Sequence, residues 1–288
     1  VTIQEGCDKF CSFCVVPYTR GPEYSRNYNS IIDEVNSMVS NGAREIVLLG
    51  QNVNAYQFKN GNKIYRLSDL IDKLTTIKDL KRIRYTTSHP INMDDELIDL
   101  HSNNKKLMPF LHLPVQSGSS KILKMMNRKY DVEFYRDIIF KIRDKSPNIE
   151  ISSDFIIGYP GESEQDFINT LDLIDDIKFT QSYSFIYSAR PGTKSAMIED
   201  NLTKKVKSER LKILQSKLTE IQHDFNKTHV GKKTSVLIEN QSATNPEYYF
   251  GRTPYMQSVY IKSNNLINGE EKDIKITSCN HKSLYGTC

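Results

Sequence analysis

Six apolar, β-branched runs alternate with amphipathic helical stripes along most of the chain: residues 1–5, 44–50, 82–88, 109–116, 149–159 and 182–188. Between them, Ile31, Ile32, Val35, Met38 and Val39 recur at helical spacing, with Gly42 as a stop, and 67–77 and 164–177 carry the same stripe. Such alternation demands a parallel sheet with right-handed crossovers, because a parallel neighbour is reached only by returning over the sheet. The pattern alone admits a doubly wound sheet or a barrel. The expected fold class is α/β, and short helix-to-strand links suit a partial (β/α)6 TIM-like barrel over residues 1–225. From about residue 228 the helical stripes stop and short strand-like runs follow, with turns at 243–247 and 268–271. A second, all-β unit over 226–288 is expected, a small OB-like barrel. Two domains agree with 288 residues at roughly 150 residues each.

Cys7, Cys11 and Cys14 form a C-x3-C-x2-C group in a polar loop directly after the first run. Three thiolates so close can converge on one metal centre. A structural zinc site would want a fourth ligand, but the next thiol is Cys279 and the nearest histidine is His89. Three ligands on a 4Fe–4S cube leave one iron open to an outside ligand. The bland alternative is buried, inert cysteines or a C-x2-C redox pair. With Cys288 the total is five, which fits a disulfide framework poorly, and no secretory signal opens the chain. A cytoplasmic setting is therefore expected. No apolar run approaches the roughly 20 residues of a membrane span. The first residue is Val rather than Met, so a fragment or processed product is expected. Net charge is only +4, yet residues 203–228 hold seven Lys or Arg against three acids. That segment reads as a solvated helix face or as a nucleic-acid contact.

Six segments occur in order: EGCDKFCSFCVVPYTRG (5–21), LLGQNVNAY (48–56), RIRYTTSHP (82–90), LHLPVQSGS (111–119), SSDFIIGYPGE (152–162) and SYSFIYSARPGT (182–193). Together they resemble the tRNA methylthiotransferases of the radical S-adenosylmethionine (SAM) superfamily, and the terminal β unit resembles the TRAM domain that ends those enzymes. The resemblance implies a radical SAM barrel with the cysteine loop at its C-terminal mouth. It implies Cys7, Cys11 and Cys14 as ligands of a 4Fe–4S cluster whose open iron is chelated by SAM. It implies SAM contacts at Gly50, Gln51 and Asn52 after the second strand, and at Gln116 and Ser117 after the fourth. Asp154 and Gly158 on the fifth strand, and Ala189 and Arg190 after the sixth, complete that set. Each has a plainer alternative: an ordinary turn, a polar cap, a buried hydrogen-bonding residue or a surface cation. Glu162 lies one place beyond the superfamily spacing. His89 and His112 read as satisfied core or mouth histidines, and residues 248–250 as packing or base-stacking aromatics. Arg20 and Arg26 read as ligand-facing or solvent-facing.

The implied activity is transfer of a methylthio group to C2 of N6-isopentenyladenosine beside the tRNA anticodon. One SAM would methylate a sulfur, and a second would yield the radical that takes the C2 hydrogen. GQNVNAY and CVVPYTRG favour this branch over relatives that modify a ribosomal protein or threonylcarbamoyl-adenosine. The family's second 4Fe–4S cluster belongs to an N-terminal domain expected to be absent from this chain. The implied partners are tRNA, held by the 203–228 helix and the terminal barrel, and an electron donor such as flavodoxin or ferredoxin. No membrane is expected, and the chain is expected to be a monomer. The rival readings are an inactive tRNA-binding remnant and a methylthiotransferase acting on a ribosomal protein.

Overall fold

Strand pairing decides between the two α/β arrangements. The computed structural model describes residues 1–242, 245–263 and 265–288. Its first seven principal strands are β1 (Gln4–Glu5), β2 (Glu45–Leu48), β3 (Arg82–Tyr85), β4 (Phe110–His112), β5 (Glu150–Ser152), β6 (Asp154–Ile157) and β7 (Tyr183–Ile186). β2 pairs with β3, β4 with β5, and β6 with β7, all parallel. Single parallel bridges, Thr2 to Leu49, Ile83 to Leu107 and Gln116 to Phe155, join these pairs. Each strand thus neighbours the next in chain order, whereas a doubly wound sheet reverses direction at a switch point. Among the described residues no strand pairs with the outer edge of β7, so the barrel stays open. The run at 149–159 is broken at Ser153, whose buried hydroxyl accepts the Val115 N–H at 2.9 Å. That break lets β5 pair with β4 while β6 pairs with β7.

Among the described residues, seven helices longer than the single turn at Val16–Thr19 cover the outside: α1 (Tyr28–Ser40), α2 (Leu67–Thr75), α3 (Asp95–Asn103), α4 (Ser120–Met125), α5 (Val132–Lys145), α6 (Glu164–Ile177) and α7 (Lys204–Lys227). α1, α3, α5, α6 and α7 open on Asn27, Asp94, Asp131, Ser163 and Thr203, whose side chains accept a first-turn N–H, each worth about 1 kcal/mol. Ile31, Val35 and Val39 of α1 and Phe167, Leu173, Ile174 and Ile177 of α6 face the core, as their spacing demands.

Five further strands, β8 (Lys233–Gln241), β9 (Tyr248–Arg252), β10 (Ser258–Lys262), β11 (Glu271–Cys279) and β12 (Ser283–Thr287), close a barrel in the order β8-β9-β10-β12-β11. It has its own core around Val236, Ile238, Val259, Ile261, Ile274 and Leu284. Of the turn expected at 243–247, residues 243 and 244 lie outside the described residues. α7 runs two residues past the expected 225/226 boundary, and Asn226, fully buried, donates to Asn280 O and accepts from Gln257 at the junction of the two units.

Two arginines bolt the units together. On β3, Tyr85 points to the helix layer, its hydroxyl 2.7 Å from His101 Nε2. Alternation sends Arg82 and Arg84 to the other face. Arg82, fully buried, donates to Glu271 at 2.7 and 3.0 Å, to Arg252 O at 2.7 Å and to Ser235 Oγ at 3.2 Å. Arg84 donates to Pro254 O at 2.8 Å and Thr253 O at 3.0 Å, and pairs with Glu45 at 3.1 Å. The 253–257 loop of the small barrel is thereby held against the floor of the large one. Removing Arg82 leaves Glu271 partly solvated but strips several hydrogen bonds to a charged donor at the junction, a loss of roughly 2–3 kcal/mol. Arg82→Leu should lose about that much in urea unfolding, with the small barrel melting in a separate, earlier transition; a single transition at the parental midpoint would refute this account of the junction.

Candidate functional site

The three cysteines lie on one loop at the C-terminal end of β1, and other parts of the chain fix that loop. Cys7 N–H donates to Gly21 O at 3.2 Å and Ser12 N–H to Met126 O at 2.9 Å. Asn127 Nδ2 donates to Phe10 O at 2.8 Å, and Ser195 N–H to Ser12 O at 3.0 Å. The loop walls a cavity of about 370 Å³, completed by the strand ends at 50–52, 87–89, Pro114, Gln116 and Asp154. A larger open hollow of about 630 Å³, lined by Arg143, Glu150, Lys217 and Asp224 among others, lies on the outer side and holds none of the expected site residues.

All three thiols are free, half-buried and part of the cavity wall. Burial pushes the Cys7 thiol up to about 11 and the Cys14 thiol upward as well. Among the described residues no three His, Cys, Asp or Glu side chains gather as a single metal ion would require. Thiols spread round one hollow suit a multi-iron cluster, in which each sulfur meets a different iron. Behind them sits Arg128, buried at 5% exposure. Its guanidinium lies 3.4 Å from Cys11 Sγ and donates to Pro114 O and Tyr130 Oη, both at 2.9 Å.

The turn after β2 is locked to the cysteine loop by an exchange of amides. Gln4, fully buried, accepts the N–H groups of Gln51 and Asn52 at 2.9 and 2.8 Å and donates to Gly6 O at 2.7 Å. Gln51 Oε1 in turn accepts Gly6 N–H at 2.7 Å. Gly50 is required there, since a Cβ would come within 2.6 Å of Gln4 O. Three buried polar atoms on the cavity wall have no protein partner: Asn52 Oδ1, Ser88 Oγ and His89 Nε2. Burial, with Arg128 and Lys9 nearby, pushes His89 down to about 2, so its ring is neutral. His89 Nδ1 accepts the Ile91 N–H at 3.3 Å, which leaves the proton on Nε2 as an unused donor. Orphaned donors and acceptors are costly in a dry wall and suit a polar ligand. Thr87 and Gln116, with φ of +60° and +79°, line the same cavity in strained backbone conformations of the kind stored at functional sites. The residues present therefore fit a cysteine-held cluster beside a polar small molecule.

Of the expected site residues, Cys7, Cys11, Cys14, Gly50, Gln51, Asn52, Gln116 and Asp154 meet at this cavity. Ser117 does not; its buried hydroxyl faces α6, 3.5 Å from Thr170 Oγ1. Gly158 adopts φ +69° beneath the Lys207 side chain and donates its N–H to Glu162 at 3.1 Å, away from the cavity. Ala189 and Arg190 lie on an exposed turn, where Arg190 O accepts from Thr193. Arg26 binds Thr2 O and Glu34, a structural tie. Of residues 248–250, Tyr249 packs into the small barrel's core, while Phe250 points outward. The basic helix also differs from its charge count, because several of its cations are spent inside the fold. Arg210 is held by Glu162 and Glu164, Lys207 by Asp200 and Lys217 by Asp175; Lys204, Lys205, Lys212 and Lys227 remain exposed, the last in a surface pair with Asp224. Gln4 and Arg128 were not singled out by sequence, and no local pattern marks either. His89 was read as satisfied, whereas only one of its two ring nitrogens has a partner.

Comparison with known proteins follows the same division. Residues 1–174 match the radical SAM superfamily and residues 227–288 the TRAM domain. The chain is 54% identical over 288 residues to proteins named tRNA-2-methylthio-N(6)-dimethylallyladenosine synthase from Rickettsia canadensis and Rickettsia felis, and 52% identical to that of Rickettsia bellii. These alignments cover 99% of this chain and 64% of each relative, so the chain spans just under two thirds of their length. Among solved structures, the radical SAM methyltransferase TsrM of Kitasatospora setae, with cobalamin and a [4Fe-4S] cluster bound, superposes with TM-score 0.56 at 17% identity, over 68% of this chain and 38% of that one. Streptococcus suis SuiB bound to SAM gives 0.52 at 14% identity, over 75% and 46%. At such identities these two likenesses speak for the fold alone. On the match over its first 174 residues, around a cysteine loop at the mouth of an open parallel barrel, the chain belongs to the radical SAM superfamily and carries a TRAM domain at its C-terminal end.

Proposed function

We propose that this chain is the radical-generating and RNA-holding part of a tRNA methylthiotransferase acting on N6-isopentenyladenosine next to the anticodon. The observation that carries the reading is the convergence of three thiols, a buried guanidinium and three unpartnered polar atoms on one cavity. The relatives' printed name supplies the reaction. Cys7, Cys11 and Cys14 would hold a 4Fe–4S cluster. When bound, cluster and SAM supply a 5′-deoxyadenosyl radical by one-electron cleavage of the sulfonium. Around them, the neutral His89 Nε2–H and Asn52 Oδ1 would offer one donor and one acceptor to SAM. The amide lock through Gln4 holds the 50–52 turn in place, and Arg128 holds its positive charge against Cys11, where it offsets the negative charge of the thiolates. The second cluster, the sulfur source and the reductant belong to the reading of the whole enzyme, with flavodoxin or ferredoxin as the class of electron donor. A monomer in the cytoplasm goes with it, and no helix among the described residues is long and apolar enough to cross a membrane.

The small barrel supplies a surface of the right chemistry for a single-stranded loop. Phe250, Tyr260 and Tyr285 stand in cross-strand register on β9, β10 and β12, with ring centroids 5.6 and 5.7 Å apart. Arg252 lies over Phe250 at 5.6 Å. Aromatic steps with an adjacent cation bind bases without sequence readout.

Anaerobic reconstitution should load about four irons per chain, and SAM with dithionite should then yield 5′-deoxyadenosine. Cys11→Ala should lose the iron while keeping the parental circular dichroism; full iron in that variant sinks the ligand assignment. His89→Leu should keep its iron yet bind SAM about tenfold more weakly by equilibrium dialysis, the loss of one hydrogen bond in a dry wall; unchanged affinity would take His89 out of the site. Tyr260→Ala should weaken binding of an anticodon stem-loop about tenfold in fluorescence anisotropy, and an unaltered Kd would move the RNA surface elsewhere.

A further inference from the structure

Of the buried arginines among the described residues, one differs from the rest in its partners. Arg82 pairs with Glu271, Arg84 with Glu45, and Arg210 with Glu162 and Glu164. Arg128 is just as deeply buried, yet among the described residues no carboxylate pairs with it. Its guanidinium is spent on Pro114 O, on the Tyr130 hydroxyl and on Cys11 Sγ, and it lies over the Tyr130 ring at 5.3 Å. Tyr130 is itself fixed, its hydroxyl donating to Val115 O at 3.0 Å. A buried cation without a counter-charge is costly, so the position calls for an anion. Cys11 supplies one when it binds metal, because a thiol ligates as the thiolate.

The backbone is bent to deliver this charge. Asn127, at φ +59°, is the left-handed cap that ends α4. Lys129, at φ +65°, takes the same conformation, where a long side chain finds it costly. Three successive residues then reach the cysteine loop. Met126 O accepts the Ser12 N–H at 2.9 Å, Asn127 Nδ2 donates to Phe10 O at 2.8 Å, and Arg128 meets Cys11 at 3.4 Å. The other two thiols receive main-chain donors, Cys7 the Lys9 N–H and Cys14 the Val16 N–H at 3.5 Å. Main-chain donors follow from the path of the loop, whereas the charge set against Cys11 depends on one side chain.

We propose that Arg128 sets the reduction potential of the cluster held by the three cysteines, raising it through Cys11 and so widening the range of one-electron donors able to reduce it. The inference rests on the cluster reading above and goes beyond it in assigning the potential to one residue. An oxidised 4Fe–4S core with three thiolates is singly negative. The electron taken from the donor makes it doubly negative, with no proton moved and no bond broken. A cation fixed in a water-poor wall stabilises the second state more than the first, and the low dielectric leaves that difference unscreened. Net charge and hydrogen bonds to sulfur both tune such potentials, and Arg128 supplies both. Because it acts through Cys11, it is a positioning residue.

The test is an EPR-monitored redox titration of the reconstituted chain without SAM, with titanium(III) citrate as the one-electron reductant. Arg128→Gln should take up the parental iron yet be reduced at least about tenfold less favourably, a midpoint about 59 mV lower for one electron. Arg128→Lys keeps the charge without the planar fork and should recover more than half of that shift. Asn127→Ala removes a neighbouring clamp on the loop but no charge, and should leave the midpoint at its parental value. Arg128→Met keeps much of the bulk of the stem and carries the measurement where Arg128→Gln holds no iron. An unchanged midpoint in a neutral variant, or an equal fall in Arg128→Lys or Asn127→Ala, overturns the proposal. Loss of iron from both neutral variants also overturns it and assigns the guanidinium to holding the loop. Absence of a reducible 4Fe–4S signal from the parental chain removes the cluster reading, and this proposal with it.

Discussion

A guanidinium cannot shed its proton within a protein, so a buried one obliges the chain to bring it several acceptors. Arg82, Arg84, Arg128 and Arg210 are each no more than 6% exposed, and each donates to segments distant along the chain. Arg82 and Arg84 reach 150 residues or more to the small barrel. Arg128 ties the end of α4 to the cysteine loop and to Pro114. Arg210 draws α7 onto Glu162, a carboxylate buried to 4%, in the turn after β6. Floor, mouth and outer wall of the large barrel are each fixed by one or two of these charges. The apolar core supplies the bulk of the stability; the arginines decide which distant pieces meet.

That division explains what the sequence made legible. Alternating strands and helices follow local periodicity, and the structure repeats them, with α6 on the residues its stripe marked out. The C-terminal ends of strands can be located from chain order alone. For that reason Gln51, Asn52, Gln116 and Asp154 arrive at one cavity with the cysteines. Which way a side chain turns beyond its strand depends on the path of the loop, and there Ser117, Gly158, Ala189 and Arg190 depart from the cavity. Arg128 is 117 positions from Cys11, and the Gln4–Gln51 exchange needs two strands already in register. No window of sequence contains either pair. Charge counting met the same limit on α7, where it could not tell Lys207, spent on Asp200, from Lys204 in solvent.

The join between the two units is more than an attachment. Thr253, Pro254 and Tyr255 give up their carbonyl groups to the large barrel, and Met256, which follows, adopts a positive φ of 66°. An RNA held on the outer aromatic face of the small barrel would be anchored to the same body that forms the floor of the lumen.

The outer edge of β7 has no strand partner among the described residues, and Tyr183 and Phe185 stand beside it at 61% and 56% exposure. Unpaired backbone groups flanked by bare rings are a template for strand addition from another molecule. The open edge of the barrel is therefore a point of self-adhesion, where concentrated protein is exposed to edge-to-edge aggregation.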